Sequence, residues 1–360
     1  MIDPDLTALR RRLLRWYDSH RRPLPWRAPP GTTPDPYRVW LSEAMLQQTR
    51  VETVRPYFTR WLERFPSLEA LAAAPLDDVL KAWEGLGYYS RARNLHRAVR
   101  EVSRSYNGVV PDEPEAFRAL PGVGRYTAGA VMSIAFGREE PVVDGNVRRV
   151  FARWTDRAEP AEAELWRLAA ELVRGERPGD LNQSLMELGA VVCTPRSPRC
   201  SGCPVSMHCA AFAAGTQTER PARRRTGPLP REERVAAVVE DGDGRVVIAR
   251  RPAEGRLGGM WEFPGALSES QEAATAAAER AAREGLGLTV RGGESIAIVE
   301  HAFTHVRVSY HAVRCAFVSG EPRPLLYDAA RWVRWDDLER YALPRAQRRI
   351  AALACPAITR

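Results

Sequence analysis

Apolar residues recur every three or four positions through the first half of the chain, as they do in amphipathic helices. This spacing predicts a series of helices, and Asp35 followed by Pro36 supplies the N-cap and the first-turn proline of the second one. This half of the chain is therefore predicted to be all-α. The predicted helices cover 6–19, 36–49, 51–64, 67–73, 76–84, 90–105, 125–136, 144–154, 161–174 and 181–192.

The period changes beyond residues 216–233, where prolines, glycine and arginines interrupt any regular pattern and indicate a linker. Short β-type stretches then flank Asp241-Gly242-Asp243-Gly244, which is typical of a hairpin turn. We therefore expect an all-α domain over 1–215 and an α+β domain over 234–360. The second domain has predicted strands over 235–239, 246–248, 294–300, 306–318 and 332–335, and predicted helices over 271–284 and 344–354.

With 360 residues the chain is long enough for two separate hydrophobic cores. Its net charge is +8, from 53 basic and 45 acidic residues, which favours a polyanionic partner. Lys81 is the only lysine, so Schiff-base chemistry would depend on Lys81 or the N-terminal amine. The first residues are polar and lack an apolar h-region, so we expect no signal peptide, and no apolar run approaches the ~20 residues that span a membrane. We expect a cytoplasmic protein that does not associate with membranes.

The stretch from Leu120 to Ala130 combines a Pro-Gly-x-Gly turn with an apolar helix of small residues. Gly122 and Gly124 allow a tight turn with a bare backbone, because glycine tolerates positive φ. Backbone N–H groups at such a turn, and at the start of the helix that follows, suit a phosphate. An ordinary corner between two helices is the alternative.

A second glycine turn, Gly85-Leu86-Gly87-Tyr88-Tyr89, precedes the arginine-rich helix over 90–105. An aromatic side chain beside clustered arginines suits a stacked base next to phosphates. Alternatively, the tyrosines close the end of a helix and the arginines form a solvated face.

Two carboxylates are candidates for acid–base chemistry. Glu43 lies among Trp40, Met45 and Leu46, and a carboxyl group in apolar surroundings has a raised pKa that suits a general acid. The alternative is an exposed glutamate on a helix surface. Asp144 is predicted to cap the helix that follows it, and the capping N–H groups would keep it ionised beside a cationic intermediate.

Four cysteines fall within 17 residues, at Cys193, Cys200, Cys203 and Cys209. Structural zinc usually takes two short pairs of cysteines, whereas this group contains one. A single group of four thiolates fits a [4Fe–4S] cluster better, so the loop over 193–209 is predicted to hold such a cluster.

Together these motifs resemble the MutY-type adenine DNA glycosylases of the endonuclease III-like helix–hairpin–helix superfamily. The resemblance extends from about Leu6 to about Ile350. It implies a multidomain fold, in which an all-α helix–hairpin–helix domain with an iron–sulfur cluster loop precedes an α+β Nudix-like domain. The motifs that carry the resemblance are Leu24 to Arg27, Ser42 to Thr49, Gly85 to Tyr89, Leu120 to Thr127, Val143 to Asn146 and the four cysteines.

The resemblance implies base excision repair by a monofunctional glycosylase that removes adenine mispaired with 8-oxoguanine or guanine. The adenine would be flipped out of the duplex. Glu43 would protonate its N7, Asp144 would stabilise the oxocarbenium-like sugar, and Asn146 would position Asp144. Tyr126 stands where strand-cleaving relatives carry a Schiff-base lysine, so efficient strand nicking is not expected.

The implied partner is double-stranded DNA with an A·8-oxoguanine or A·G mispair, bound by a monomer. The cluster would be structural, and a bound cation at the hairpin turn is compatible with the resemblance. The implied adenine pocket consists of Leu24, Arg27 and Gln183, and 8-oxoguanine recognition involves Phe303, Thr304 and His305. The implied DNA contacts are Gln48, Leu86 and Tyr88 at the duplex, and the amides of Gly122, Val123 and Gly124 at a phosphate.

The C-terminal domain departs from the pattern of an active Nudix pyrophosphatase. Two acidic positions of the Nudix box are replaced, by Ala281 and Gly285. Because Mg²⁺ binding needs clustered carboxylate oxygens, pyrophosphatase activity is not expected. The loop over 27–35 also looks longer than is usual in the family. The box positions that are kept are Glu272, Arg280, Glu284 and Gly287.

Three other functions stay open at this point. A glycosylase of the same superfamily could remove thymine from G·T pairs, although Glu43 argues against this because thymine has no N7 to protonate. The second alternative is a non-catalytic DNA-binding iron–sulfur protein. The third is a nucleotide pyrophosphatase with a DNA-binding appendage.

Overall fold

The computed structural model describes residues 6–29, 31–222 and 227–355. The chain divides into two compact units, the first made of Met1–Ala73 and Asn94–Arg225 and the second of Ala74–Arg93 and Thr226–Arg360. The N-terminal amine and the linker arginines at 223–225 lie outside the described residues. The predicted first domain, 1–215, includes the segment 74–93, which here groups with the second unit. The predicted domain limits stay a prediction.

The helical pattern of the sequence corresponds closely to the helices of the structure. Most predicted ends agree within three residues, although the second helix stops at Leu46 because Gln47 and Gln48 leave the helical conformation. The helices are α1 (Leu6–His20), α2 (Pro36–Leu46), α3 (Val51–Arg64), α4 (Leu68–Ala73), α5 (Leu76–Trp83), α6 (Ser90–Ser105), α7 (Pro114–Arg118), α8 (Arg125–Phe136), α9 (Gly145–Trp154), α10 (Glu162–Val173), α11 (Pro178–Val191), α12 (Ala210–Ala213), α13 (Ala274–Leu286) and α14 (Arg345–Ala354).

The expected helix caps are present. The Asp35 carboxylate accepts a hydrogen bond from the Tyr37 N–H at 2.9 Å, and Asp144 accepts one from the Val147 N–H at 2.7 Å. Each cap satisfies one of the N–H groups that the first turn of a helix leaves unpaired. These two aspartates therefore fix where α2 and α9 begin.

Helix α8 is buried on nearly all sides and packs against α2, α7 and α11. Such a helix needs small residues where neighbouring backbone approaches, and Gly129 is one of them. A Cβ atom at Gly129 would lie 2.1 Å from the Pro141 carbonyl oxygen, a distance that no side chain can take without moving the backbone. The small-residue pattern noted in the sequence is thus a packing requirement.

We expect Gly129→Ala to lower the free energy of unfolding by about 1–3 kcal/mol, the usual range for overpacking a core. The matched control is Gly145→Ala, because a Cβ atom there meets nothing within 4 Å. Urea denaturation of the three proteins measures both effects. Equal midpoints for Gly129→Ala and the wild type would contradict the close approach seen here.

The core of the first unit joins α1, α9, α10 and α11. It includes the fully buried side chains of Leu13, Phe151 and Leu185. Three of the clustered cysteines pack against this core, at Cys193, Cys203 and Cys209. The cysteine loop is therefore attached to the same helices that carry Asp144.

The second unit contains a sheet in the order β3-β2-β1-β6-β5, with β4 paired to β1 and β7 paired to β2. Its longest strand pairings are β1 with β6, which run parallel, and β5 with β6, which run antiparallel. The strands are β1 (Arg231–Glu240), β2 (Arg245–Arg250), β3 (Trp261–Glu262), β4 (Gly265–Leu267), β5 (Thr289–Ala302), β6 (Arg307–Ser319) and β7 (Ala329–Arg334).

Strand β1 is buried on both faces. Val235, Ala237 and Val239 belong to the cluster that includes α13, while Ala236 and Val238 belong to the cluster that includes α14. A strand covered on both faces carries a continuous apolar run instead of an alternating one. This arrangement explains why the sequence from 235 to 239 is apolar at every position.

The loop over 303–306 connects β5 to β6 and carries Phe303, Thr304 and His305. The predicted turn at Asp241–Gly244 connects β1 to β2, and the Asp241 carboxylate accepts a hydrogen bond from the Arg245 N–H at 2.9 Å. Among the described residues, no helix has both the length and the hydropathy that crossing a membrane requires.

Candidate active site

Glu43 lies in the middle of α2 and is 5% exposed. Its neighbours on that helix, from Val39 to Met45, are buried as well. The hydrogen bond from the Tyr126 hydroxyl of α8 to Glu43 Oε2 measures 2.6 Å. The interpretation of Glu43 as an exposed helical glutamate is therefore wrong, because the packing of α8 against α2 buries this carboxyl group.

Burial raises the pKa of Glu43 to about 7. The hydrogen bond from Tyr126 acts in the opposite direction and the negative charge of Asp144 adds to the rise. A carboxyl group with a pKa near neutrality can be protonated at rest and still release its proton during a reaction. Glu43 thus has the properties of a general acid.

Asp144 receives a donor on each carboxylate oxygen. The Val147 N–H donates to Oδ1, and the Asn146 side-chain amide donates to Oδ2 at 3.0 Å. Burial raises the pKa of Asp144 above its ordinary value, and these hydrogen bonds work against that rise. Capping, from which an ionised Asp144 was predicted, therefore gives the smaller contribution to its pKa. Burial gives the larger contribution, in the opposite direction.

Arg149 fixes the orientation of Asn146. Its guanidinium donates to the Asn146 Oδ1 atom at 2.8 Å and to the carbonyl oxygens of Gly189 and Cys193, both at 2.7 Å. Because the amide oxygen of Asn146 accepts from Arg149, the amide NH₂ faces Asp144. Asn146 is thus held in the orientation that supports an ionised Asp144.

A cavity of about 170 Å³ brings the candidate residues of the first unit together. The two candidate catalytic carboxyl groups, those of Glu43 and Asp144, line it. The sequence analysis placed the expected catalytic residues and the expected pocket residues at seven positions, and all seven border this one recess: Glu43, Tyr126, Asp144, Asn146, Leu24, Arg27 and Gln183.

Glu187 is a member of the recess that the sequence analysis missed. It is 1% exposed and accepts hydrogen bonds from Arg22 at 2.7 Å and from Arg27 at 2.8 Å. Burial acts to raise its pKa, but these hydrogen bonds outweigh burial and the pKa lies below its ordinary value. An ionised Glu187 therefore anchors Arg27 in the wall of the recess. Its position one helical turn after Gln183 was the available signal.

The glycine turn lies between α7 and α8. Gly122 has φ +75°, and a Cβ atom there would lie 2.5 Å from the Asn94 Cβ atom, whereas Gly124 has φ −87° and caps α8. The Val123 N–H donates to the Leu120 carbonyl oxygen at 3.1 Å, so this amide has a partner within the turn, and its expected contact with a phosphate stays a prediction. The amides of Gly122 and Gly124 stay as the predicted donors.

The four clustered cysteines line one small cavity together with Arg153. The Arg153 guanidinium donates to Cys193 Sγ at 3.1 Å. Burial raises the pKa of Cys203 to about 12 and also raises the pKa of Cys200 and Cys209. Neutral thiols are therefore favoured unless a metal centre supplies positive charge, which is the behaviour expected of cluster ligands.

Within residues 6–29, 31–222 and 227–355, no group of three His, Cys, Asp or Glu side chains is arranged to hold one metal ion. In a [4Fe–4S] cluster each cysteine binds a different iron atom, so its sulfur atoms need not converge on one point.

Tyr88 and Thr304 meet in the second unit. The Tyr88 hydroxyl lies 2.5 Å from Thr304 Oγ1, and Tyr88 is 43% exposed. Phe303 is half-buried beneath the Arg256 guanidinium, whose Cζ lies 5.1 Å from the centre of its ring. Thr304 and His305 are exposed at the tip of the loop.

Two other residues that were expected to contact DNA, Gln48 and Leu86, differ in how exposed they are. Gln48 is exposed, with φ +56°, at the end of α2. Leu86 is 6% exposed, so the expected contact of its side chain with DNA is not supported. The Leu86 backbone carbonyl oxygen accepts a hydrogen bond from Arg91 Nη2 at 3.3 Å.

Two family models match the chain. Residues 41–174 match the HhH-GPD superfamily of base excision DNA repair proteins, and residues 235–353 match a NUDIX domain. The adenine DNA glycosylase of Rattus norvegicus is 37% identical over 400 residues, covering 96% of this chain and 78% of the relative. The adenine DNA glycosylase of Homo sapiens is 36% identical over 402 residues, covering 96% and 74%.

The chain belongs to the adenine DNA glycosylase family. It is therefore a DNA glycosylase, a hydrolase of N-glycosyl bonds that serves DNA repair. A further relative, the adenine DNA glycosylase of Mycolicibacterium smegmatis, is 45% identical over 215 residues, covering 58% of this chain and 72% of the relative. Membership in a family of enzymes argues against the non-catalytic alternative.

Solved structures support the fold of the helical part of this chain. A thermostable thymine-DNA glycosylase has a TM-score of 0.53 and 31% identity, covering 58% of this chain and 97% of that one. A non-covalent endonuclease III–DNA complex has a TM-score of 0.51 and 22% identity, covering 60% and 99%. The all-α glycosylase fold with an appended Nudix-like domain is thus confirmed.

Residues of the Nudix box in this chain contact one another and a neighbouring ring. The Arg280 guanidinium donates to both carboxylate oxygens of Glu272, at 2.9 and 2.7 Å. A Cβ atom at Gly285 would lie 2.9 Å from the Tyr327 ring, so this ring fills the space beside the lost acidic position. The expected lack of pyrophosphatase activity stays a prediction.

Proposed function

We propose that this DNA glycosylase removes adenine that is mispaired with 8-oxoguanine or guanine in double-stranded DNA. One observation carries the proposal: Glu43, with a pKa of about 7, and the hydrogen-bonded Asp144 line the same recess. A stacked base cannot reach such a recess, so the adenine must first leave the duplex. The substrate then presents its glycosidic bond between an acid and an anion.

Glu43 supplies the proton in the first chemical step. Transfer from its carboxyl group to adenine N7 makes the base a better leaving group, because the electrons of the C1′–N9 bond then move into a protonated ring. Tyr126, which donates to Glu43 Oε2, stabilises the carboxylate that remains. The raised pKa of Glu43 keeps a substantial fraction of its carboxyl group protonated near neutral pH, so the proton is available for this transfer.

Asp144 acts on the sugar. Loss of the base leaves positive charge at C1′ and the ring oxygen, and a carboxylate stabilises this charge as in two-carboxylate glycoside cleavage. Asn146 and the Val147 N–H hold the carboxylate in place. Water then adds to C1′ and passes its proton to the Glu43 carboxylate that the first step left, which completes hydrolysis, leaves an abasic site and restores the protonated acid.

Base removal without efficient strand nicking follows from the same arrangement. A tyrosine, Tyr126, stands in the recess where a Schiff-base amine would be needed. Lys81 lies on α5 of the other unit, and its ammonium donates to Glu84 at 2.6 Å. We therefore propose a monofunctional glycosylase.

We propose that Arg27, Leu24 and Gln183 contact the flipped adenine, and that the amides of Gly122 and Gly124 bind a phosphate, with or without a cation. Tyr88 and Gln48 would wedge the duplex. The loop carrying Phe303, Thr304 and His305 would recognise 8-oxoguanine, with the Thr304 hydroxyl beside Tyr88 as the contacting group. A monomer suffices for all of these contacts.

The four cysteines fit a [4Fe–4S] cluster. Cys193, Cys200, Cys203 and Cys209 would each hold one iron atom, and the bound cluster would cross-link the loop that packs against the helical core. We expect the purified protein to contain about four iron atoms per chain. Cys203→Ser should lose iron and Cys355→Ser should retain it, and equal iron contents in the two variants would contradict this assignment.

The proposal is tested with duplexes that contain A·8-oxoguanine, A·G, A·T or T·G pairs. Chromatography identifies the released base, and alkali reveals abasic sites. We expect adenine from the first two duplexes and no borohydride-trapped adduct in high yield. Release of thymine from T·G would instead favour the thymine activity named for the similar solved structure.

A further inference from the structure

The turn between α5 and α6 has an unusual backbone. Gly85 and Gly87 have φ values of +100° and +72°, and Tyr88 itself has φ +46°. A bulky residue with positive φ costs free energy and persists only where its surroundings hold it. The exposed ring that we propose as the wedge is therefore carried on a backbone that needs support.

Arg91 provides that support to the backbone. Its Nη2 atom donates to the carbonyl oxygens of Leu86 and Gly87 at 3.3 and 3.1 Å, and its Nε atom donates to the Tyr88 carbonyl oxygen at 3.4 Å. Three consecutive carbonyl groups thus converge on one guanidinium. The Trp83 indole N–H adds a hydrogen bond to the Gly87 carbonyl oxygen at 3.1 Å.

The same guanidinium also contacts two aromatic rings. Its Cζ atom lies 5.3 Å from the centre of the Trp83 ring and 5.4 Å from the centre of the Tyr88 ring. Both distances fall within the range of a cation–π interaction. The side chain of Arg91 therefore fixes the backbone of the turn and the ring of Tyr88 at once.

Burial lowers the pKa of Arg91 to about 10, so the guanidinium stays charged at neutral pH. Burying a cation is unfavourable, and the carbonyl groups and rings offset part of that cost. A planar fork suits this set of partners, whereas a lysine presents a compact charge that cannot meet three carbonyl groups and stack on rings together. The requirement is for arginine specifically.

We propose that Arg91 is a positioning residue for recognition of the base opposite adenine, acting by holding the Tyr88 ring against the Thr304 hydroxyl. The inference rests on the proposed function, in which Tyr88 and Thr304 read 8-oxoguanine. Other contacts within the second unit keep Tyr88 and Thr304 near each other. One of them is the hydrogen bond from Arg93 to the Gly258 carbonyl oxygen, at 2.6 Å. Arg91 adds the placement of the ring.

The test measures the ratio of kcat/KM for A·8-oxoguanine over A·G duplexes. We expect Arg91→Met to lower this ratio by about tenfold to a hundredfold, the scale on which misplaced recognition groups act. Arg91→Lys should lower it as well, because the charge alone does not restore the fork. Arg283→Met, which removes an exposed arginine from α13, should leave the ratio unchanged.

Tyr88→Ala separates this inference from the proposed function. If Arg91 acts through Tyr88, Tyr88→Ala lowers the ratio and Arg91→Met adds nothing in that background. A lowered ratio in Tyr88→Ala with an unchanged ratio in both Arg91 variants overturns the role of Arg91 alone. An unchanged ratio in Tyr88→Ala and in Thr304→Ala overturns the proposed recognition site itself. Should Arg91→Met fail to fold, Arg91→Lys decides by the same ratio.

Discussion

Glu43→Gln is expected to lower the single-turnover rate of adenine release by about 10²–10⁴-fold, the usual contribution of a general acid. Glutamine keeps the shape of the side chain and can still accept the hydrogen bond from Tyr126, but it has no proton to give to adenine N7. Stopped reactions on an A·8-oxoguanine duplex, with enzyme in excess, measure this rate. Binding of the duplex should persist in the variant.

The pH dependence of the same variant provides its control. The wild-type rate of adenine release should fall as pH rises through about 7, because Glu43 loses its proton there. The residual rate of Glu43→Gln should not show this decrease. The free energy of unfolding also depends on pH through Glu43. Because the carboxyl group of Glu43 binds a proton more tightly in the native state than in the unfolded state, native stability declines as pH rises toward 7. Glu43→Gln removes this decline, so its melting temperature relative to the wild type should be higher at pH 8 than at pH 5.

Retention of the wild-type rate by Glu43→Gln would contradict the assignment of the acid. A lost rate together with lost duplex binding would contradict it too, since the proton donor is not needed to bind DNA. The pH profile distinguishes these outcomes from simple misfolding, because a misfolded variant would lose stability at both pH values.

Asp144→Asn is expected to lower the rate of base release by about 10²–10³-fold, the scale on which electrostatic stabilisation of a transition state acts. Asparagine caps helices as well as aspartate does, so α9 should keep its start while the negative charge beside the sugar is lost. Single-turnover adenine release and the melting temperature measure the two effects separately.

Asp35→Asn is the matched control for this substitution. Asp35 caps α2 through the Tyr37 N–H as Asp144 caps α9 through the Val147 N–H, but it does not line the recess. We expect Asp35→Asn to release adenine at the wild-type rate. Equal losses in the two variants would show that capping, and not the charge of Asp144, sets the rate.

The helices and caps could be predicted from the sequence because their causes are local. Apolar spacing and the dipeptide Asp35-Pro36 act within a few residues, and the structure begins α2 where they indicate. The burial of Glu43 could not be predicted in this way. It depends on α8 packing against α2, and Tyr126, which donates to Glu43, lies 83 residues away in sequence.

Glu187, a residue of the recess that was not predicted, also depends on contacts between elements that are distant in sequence. The helical spacing of Glu187 from Gln183 indicates that it faces the same side of α11, but its pairing with Arg27 spans 160 residues and could not be predicted from this local pattern. In the sheet, β1 pairs along its length with β6, whereas the predicted hairpin partner β2 meets it at one register position. The segment 74–93 likewise belongs to the second unit because of long-range contacts, such as the hydrogen bond between Arg348 and Glu84.

The most direct test of the central claim replaces the reacting adenine by 7-deazaadenine opposite 8-oxoguanine. This base keeps the shape of adenine but has carbon in place of N7, so Glu43 has no atom to protonate. We predict that the protein binds this duplex as it binds the adenine duplex and releases no base from it. Release of 7-deazaadenine at the rate measured for adenine would contradict acid-assisted cleavage by Glu43.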